Sequence, residues 1–238
     1  MKGNPRTESP PDRPLEPPIR PLVLVHGTRT SKAIWTPQLT ALLRSGHPAV
    51  AVDLPGHGAR RTERFTRARA LTVVDEAVAG CAEPPLLVGL SLGGYTSLAY
   101  AAEHPGRVAG VLLAGCSTEI KGKPLGLYRR ASRFVTRALR VGGDDWFVVD
   151  DMLASMTGYS PLTDLRRVEV PVWLVNGRRD PLRLDERRYV GSRPGVRLHV
   201  VRRAGHDVNM HAPVAFNRVL LDALHALAPR ERLAPALV

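Results

Sequence analysis

The stretch Pro85–Leu–Leu–Val–Gly–Leu–Ser–Leu–Gly–Gly94 decides the fold class. It opens as a short apolar run, PLLVG over residues 85–89, of strand length and not helix length. It passes through Gly89–Leu90–Ser91–Leu92–Gly93 and continues as a helical pattern over 92–104 that ends before Pro105. A serine squeezed between strand and helix needs a sharp turn, and a Cβ at either flanking glycine would clash. That turn pushes the Ser91 hydroxyl outward. It also leaves the Leu92 N–H at a helix N-terminus, free to donate to a developing oxyanion.

Outward from this point the same alternation repeats. Apolar runs at Leu22–Val25, Ala49–Val52, Val108–Ala114, Val170–Asn176 and Val196–Val201 predict strands, and residues 33–45, 71–82 and 213–227 have helical spacing. Continuous apolar strands between helices predict an α/β fold, a mostly parallel sheet with helices on both faces. About 55 residues separate Ala114 from Val170, too many for one crossover helix. Within them Leu127, Tyr128, Ala131, Phe134, Val135, Ala138 and Leu139 recur at helical spacing, and Trp146–Met156 is apolar. Residues 117–167 therefore read as a helical cap inserted into a core of 22–116 and 168–238. Residues 1–21 hold seven prolines and few large apolar groups, which predicts a disordered tail.

Composition narrows the function. A chain of 238 residues with 44% hydrophobic and 24% charged residues suits one large domain. No apolar run reaches the roughly 18 residues of a membrane span. No apolar stretch follows Met1–Lys2, so no secretory signal is expected and a cytoplasmic location is. Cys81 and Cys116 read as two buried thiols. The net charge of +12 raises the question of nucleic acid. The excess is diffuse arginine from Arg6 to Arg232, no recognition motif appears, and only 5% of residues are aromatic. Nucleic-acid binding is therefore not the expected role. No metal or cofactor is expected either.

A serine hydroxyl needs a base. His206, in Arg203–Ala–Gly–His206–Asp207 after the last strand, sits on a glycine-led loop at a strand's carboxyl end. His26, His47, His57, His104, His199, His211 and His225 fit structural or solvated roles better. The base needs an acid to hold its tautomer. Asp180, in Asn176–Gly–Arg–Arg–Asp180–Pro, lies four residues past a strand. Asp53 reads as a loop brace, Asp150 and Asp151 as solvated cap residues, and Asp207 as too close in sequence to the base. The loop His26–Gly27–Thr28 offers the Thr28 N–H as a second oxyanion donor beside Leu92, each such donor being worth about 3 kcal/mol.

Taken in order, these features resemble the α/β-hydrolase superfamily. The match rests on the His-Gly after the first strand, the Asp53–Leu–Pro–Gly–His–Gly58 turn, the G-x-S-x-G elbow, the Gly-x-x-Asp loop and the Gly-His loop, over about residues 22–228. The resemblance implies a triad of Ser91 nucleophile, Asp180 acid and His206 base, with Thr28 and Leu92 as oxyanion donors. The family core often opens with an antiparallel hairpin. The proline-laden start is too short to supply one, so a truncated sheet edge is expected. Serine at the elbow argues against chemistry that uses an aspartate nucleophile.

The expected function is a serine hydrolase that cleaves an ester, thioester or related carbonyl through an acyl-enzyme. Phe134, Trp146, Phe147, Met152 and Met156 are the expected pocket residues and imply a small-to-medium apolar substrate. Between Lys121 and Arg140 stand seven basic residues and no acidic one. These form either a solvated face or an attractor for an anionic substrate or a carrier or coenzyme A thioester. Two other classes stand beside this one. One is a lyase or C–C bond hydrolase that uses the triad for proton abstraction. The other is a catalytically inactive binding module, which the intact triad opposes.

Overall fold

The computed structural model describes residues 19–126 and 147–228. Six strands form one sheet: β1 (Leu22–Val25), β2 (Ala49–Val52), β3 (Leu86–Leu90), β4 (Gly110–Ala114), β5 (Val172–Gly177) and β6 (Val196–Val201). Their order is β2-β1-β3-β4-β5-β6, and every pairing among them is parallel. The chain leaves β1 for β2 on one side and returns to β3 on the other. This reversal is a topological switch point, and open α/β sheets bind ligands outside the carboxyl ends there.

Eight helices accompany the sheet among the described residues: α1 (Thr36–Arg44), α2 (Arg67–Ala79), α3 (Leu92–Glu103), α4 (Phe147–Met156), α5 (Pro161–Arg167), α6 (Glu186–Gly191), α7 (Val208–His211) and α8 (Pro213–Ala226). Successive strand side chains point to opposite faces. Leu22, Leu24, Leu86, Val88 and Leu112 meet Leu42 of α1 and Phe216, Leu220 and Leu224 of α8. Val23, Val25, Leu87, Val111 and Leu113 meet Val74 and Val78 of α2, Leu98 of α3 and Leu165 of α5. Both faces of the central strands β1, β3 and β4 are covered, so both of their phases must be apolar. Each buried leucine contributes about 1.5–3 kcal/mol.

Element boundaries shift where caps override periodicity. The helix expected over 71–82 runs Arg67–Ala79, because the Thr66 hydroxyl accepts the Arg69 N–H and starts it earlier. Strand β4 begins at Gly110 and not Val108, and β5 at Val172 and not Val170. Helices α5, α6 and α7 are short additions to the expected pattern. Of the expected cap, α4 and α5 lie between β4 and β5. The helix expected over 127–140, with Phe134, and Trp146 lie outside the described residues, as does most of the 1–21 tail.

Candidate active site

Ser91 is the single residue between β3 and α3, at φ 52 and ψ −116. Left-handed backbone of this kind costs a non-glycine residue about 1–3 kcal/mol and persists only where its surroundings enforce it. Here the Ser91 N–H donates to the Ala114 carbonyl at 2.8 Å, and the Ser91 carbonyl accepts the Tyr95 N–H at 3.0 Å. A Cβ on Gly89 would overlap the Gly93 carbonyl. One on Gly93 would overlap the Val25 carbonyl and lie 2.5 Å from the His26 oxygen. The two glycines therefore let β1, β3 and α3 meet in one knot that holds the serine forward.

His206 and Asp180 come from neighbouring loops. The Arg179 N–H donates to the Ala204 carbonyl at 2.9 Å, and Gly177 packs so closely on the Gly205 carbonyl that no side chain fits. His206 Nδ1 lies 3.0 Å from Asp180 Oδ2. Asp180 Oδ1 accepts the Leu182 N–H at 2.8 Å, which fixes the carboxylate. Asp180 is buried, and the His206 ring is about a quarter exposed. Burial pulls the imidazole pKa down, but the hydrogen bond and charge of Asp180, with Asp207, outweigh it and hold His206 above its ordinary value. Burial pushes Asp180 up, and the His206 and Leu182 bonds outweigh that, holding the carboxyl below its ordinary value.

Ser91, His206, Thr28 and Leu92 all line one cavity of about 350 Å³. Among the described residues the Ser91 hydroxyl makes no hydrogen bond, and neither the Thr28 nor the Leu92 N–H has an acceptor. A nucleophile–base bond commonly tightens only on substrate binding. Met152 and Met156 of α4 line the same cavity. Phe147 does not, which corrects the expectation. Nine positions at 100° each set it on the opposite side of α4 from Met156. There it packs beside the core under the Arg64 guanidinium, 5.7 Å from its ring centre. Asp151 is likewise not a solvated residue. It is buried, ion-paired to Arg64, and accepts the Phe65 N–H at 3.2 Å. It thereby ties α4 to the segment after β2.

The sequence reading missed Tyr95, Leu153, Thr118, Ile120, Lys123, Leu125 and Leu182 in the cavity wall. Two carried a usable signal. Tyr95 is one turn after Ser91 on α3, and Leu153 completes the Met152–Met156 stripe. Thr118, Ile120, Lys123 and Leu182 sit on irregular backbone, and Leu125 is helical. The segment at 118 is laced to the acid loop: Tyr95 and Tyr189 hydroxyls donate to the Thr118 carbonyl at 3.2 and 3.0 Å, and Thr118 Oγ1 donates to the Leu182 carbonyl.

Beneath the site, Asp53 braces its loop as expected, accepting the Lys32 and Ala59 N–H groups at 2.7 and 3.0 Å. Buried His26 accepts the Leu54 N–H at Nε2 and meets the Gly27 carbonyl at Nδ1. Burial lowers its pKa to about 4, so it is neutral and structural.

Fold and site together define an open parallel α/β sheet with a serine elbow at its switch point. The alpha/beta hydrolase family profile matches residues 22–219, and the chain belongs to that family. It is 26% identical over 244 residues to a pimeloyl-[acyl-carrier protein] methyl ester esterase of Neisseria meningitidis, covering 86% of this chain and 76% of that protein. Esterases of the same name from Xylella fastidiosa are 38% identical over 92 residues. This alignment spans 39% of this chain and only 34% of their length. A thermophilic esterase from Thermogutta terrifontis shares the fold with a TM-score of 0.74 at 20% identity, covering 88% of this chain and 91% of that one. No helix among the described residues is long and apolar enough to cross a membrane.

Proposed function

We propose that this chain is a serine hydrolase of carboxylic esters or thioesters that works through an acyl-enzyme on Ser91. The observation that carries the reading is the 3.0 Å His206–Asp180 bond beside a strained serine in one cavity. Because Nδ1 donates to the carboxylate, Nε2 is the unprotonated nitrogen and can accept a proton. Ser91 Oγ attacks the carbonyl while His206 Nε2 takes its proton. The Thr28 and Leu92 N–H groups bind the oxyanion. Collapse of the tetrahedral intermediate returns the proton from His206 to the leaving group. Water, deprotonated by the same imidazole, then frees the acid and regenerates Ser91.

The cavity's lining of Met152, Leu153, Met156, Ile120 and Leu125 suits a small-to-medium apolar acyl group. In this reading the insertion over 117–167 acts as a cap that covers the acyl chain. The named relatives act on a carrier-bound ester, which supports acyl esters and thioesters as the class to assay first. The test is a panel of acyl esters and thioesters compared between wild type and Ser91→Ala, with mass spectrometry of the stalled enzyme. Turnover should fall by several orders of magnitude in the variant, and wild type should gain an acyl mass on Ser91. Turnover without an adduct would point to proton abstraction and overturn the proposal.

A further inference from the structure

The loops that carry the acid and the base each begin with a pair of exposed arginines. Arg178 and Arg179 follow β5, and Arg202 and Arg203 follow β6. Their backbones are joined, the Arg178 N–H donating to the Val201 carbonyl and the Arg179 N–H to the Ala204 carbonyl, both at 2.9 Å. The four residues thus stand together at the carboxyl end of the β5–β6 edge. Many exposed arginines elsewhere answer a carboxylate: Arg64 meets Asp151, Arg67 meets Glu103, Arg107 meets Asp75. Among the described residues, none of these four side chains makes an ion pair or a hydrogen bond.

The acids on these loops make no ion pair with them. Asp180 is turned inward to His206, and Asp185 and Glu186 are taken by Arg188 and Arg183. Half-buried Asp207 follows the base. Arg203 also sits at φ 64, where glycine or asparagine is the unstrained choice. Four exposed guanidinium groups on two joined loops make this corner electropositive, and an acidic surface would neutralise it while guanidinium forks grip its carboxylates.

We propose that Arg178, Arg179, Arg202 and Arg203 form a docking surface for an acidic protein that presents the acyl group to the cavity on a flexible arm. The proposal rests on the hydrolase reading for what is delivered, although docking itself can be measured without turnover. Position supports it: the same two loops supply Leu182 and His206 to the cavity wall. The chemistry between the arginines favours protein over nucleic acid. Leu182 and Leu184 are exposed beside them, and residues 178–188 and 202–207 include no Phe, Tyr or Trp on which a base could stack.

The test uses the full chain as Ser91→Ala, with fluorescently labelled bacterial acyl carrier protein bearing an octanoyl thioester as the probe. Anisotropy should show binding that weakens with salt. It should also weaken about tenfold or more in the added variant Arg178→Gln, Arg179→Gln, Arg202→Gln, Arg203→Asn. With Ser91 intact, kcat/KM for the carrier thioester should drop by a similar factor, while octanoyl N-acetylcysteamine is turned over unchanged. The retained small-substrate rate certifies the fold; if it is lost, the pair Arg178→Gln, Arg202→Gln replaces the fourfold variant. Equal carrier binding by wild type and variant overturns the proposal, as does equal loss on both thioesters in the pair variant or duplex DNA binding as tightly as the carrier. Arginine-dependent docking without any acyl adduct on Ser91 would sustain the surface and sink the hydrolase reading instead.

Discussion

Replacing Asp180 by Asn isolates the part of the site on which its chemistry turns. The carboxylate has two oxygens with two assigned donors: Oδ1 takes the Leu182 N–H at 2.8 Å, and Oδ2 faces His206 Nδ1 at 3.0 Å. An amide has one oxygen and one NH₂. The Leu182 N–H is a fixed donor, so the amide oxygen must stay on it and the NH₂ must turn toward His206. Nδ1 then becomes the acceptor, the ring proton moves to Nε2, and that nitrogen can no longer receive a proton. Loss of the carboxylate also leaves burial as the leading influence on the imidazole, so the His206 pKa should fall from its raised value. A change of tautomer at such a base lowers the rate by about 10³–10⁴, equivalent to about 4–5 kcal/mol of transition-state stabilisation. Steady-state kcat/KM on the best ester of the panel, with an NMR titration of the His206 ring, measures both consequences. A variant within a few-fold of wild type, or an imidazole that titrates where it did before, would refute the assignment of Asp180 as the orienting acid.

Three further outcomes are expected. The acidic limb of the kcat/KM profile should have a midpoint above 6.5, because His206 must be neutral to act and its pKa is raised; a midpoint below 6 would contradict this. Stability should fall as pH drops from 6.5 toward about 4, since the unfolded chain protonates His26 while the fold keeps it neutral. The loss approaches about 3 kcal/mol, and urea midpoints of wild type and His26→Gln at pH 7 and 4.5 would reveal it as a flatter pH response in the variant. Gly93→Ala should lower stability by several kcal/mol and abolish turnover, because its new methyl meets backbone carbonyls of β1 that cannot move aside; Gly94→Ala, whose methyl meets the Cys116 side chain, should be partly rescued by Cys116→Ala in a melting experiment.

The central strands were legible because burial on both faces forces their positions to be apolar, leaving runs such as Leu22–Val25 with the bounds the structure gives them, and the half-buried edge run Ala49–Val52 was legible from its apolar composition. The site residues were legible because glycines mark where backbone must pass close to backbone, at 27, 89, 93 and 177. What escaped was decided by cross-chain partners that periodicity does not encode. The Arg64–Asp151 pair joins residues 87 apart and turns a nominally solvated acid into an anchor for α4. That anchor fixes α4 so that Met152 and Met156 meet the cavity and Phe147 meets Arg64. The walls at 118–123 and 182 lie on irregular chain, whose course follows hydrogen bonds such as Tyr189 to Thr118 and not any repeat in the sequence.

A parallel sheet explains why such distant residues can meet at all. All six strands run the same way, so the chain leaves each at one edge, and whatever follows β1, β3, β5 and β6 is delivered to that edge. Thr28, Ser91, Asp180 and His206 each follow one of those four strands by one to five positions. Strand order then sets the roles. β1 and β3 are neighbours, so the Thr28 and Leu92 N–H groups flank Ser91 at the switch point. β5 and β6 are neighbours, so Asp180 and His206 share one hydrogen bond across adjoining loops. β4 lies between the two pairs, and a side chain on its exit would crowd His206. The residue there is Gly115, at φ 58, where an added Cβ would stand 3.3 Å from the His206 ring and 3.0 Å from its carbonyl. The glycine after β4 thus lines the same cavity as Ser91 and His206, and its missing side chain leaves the imidazole its room.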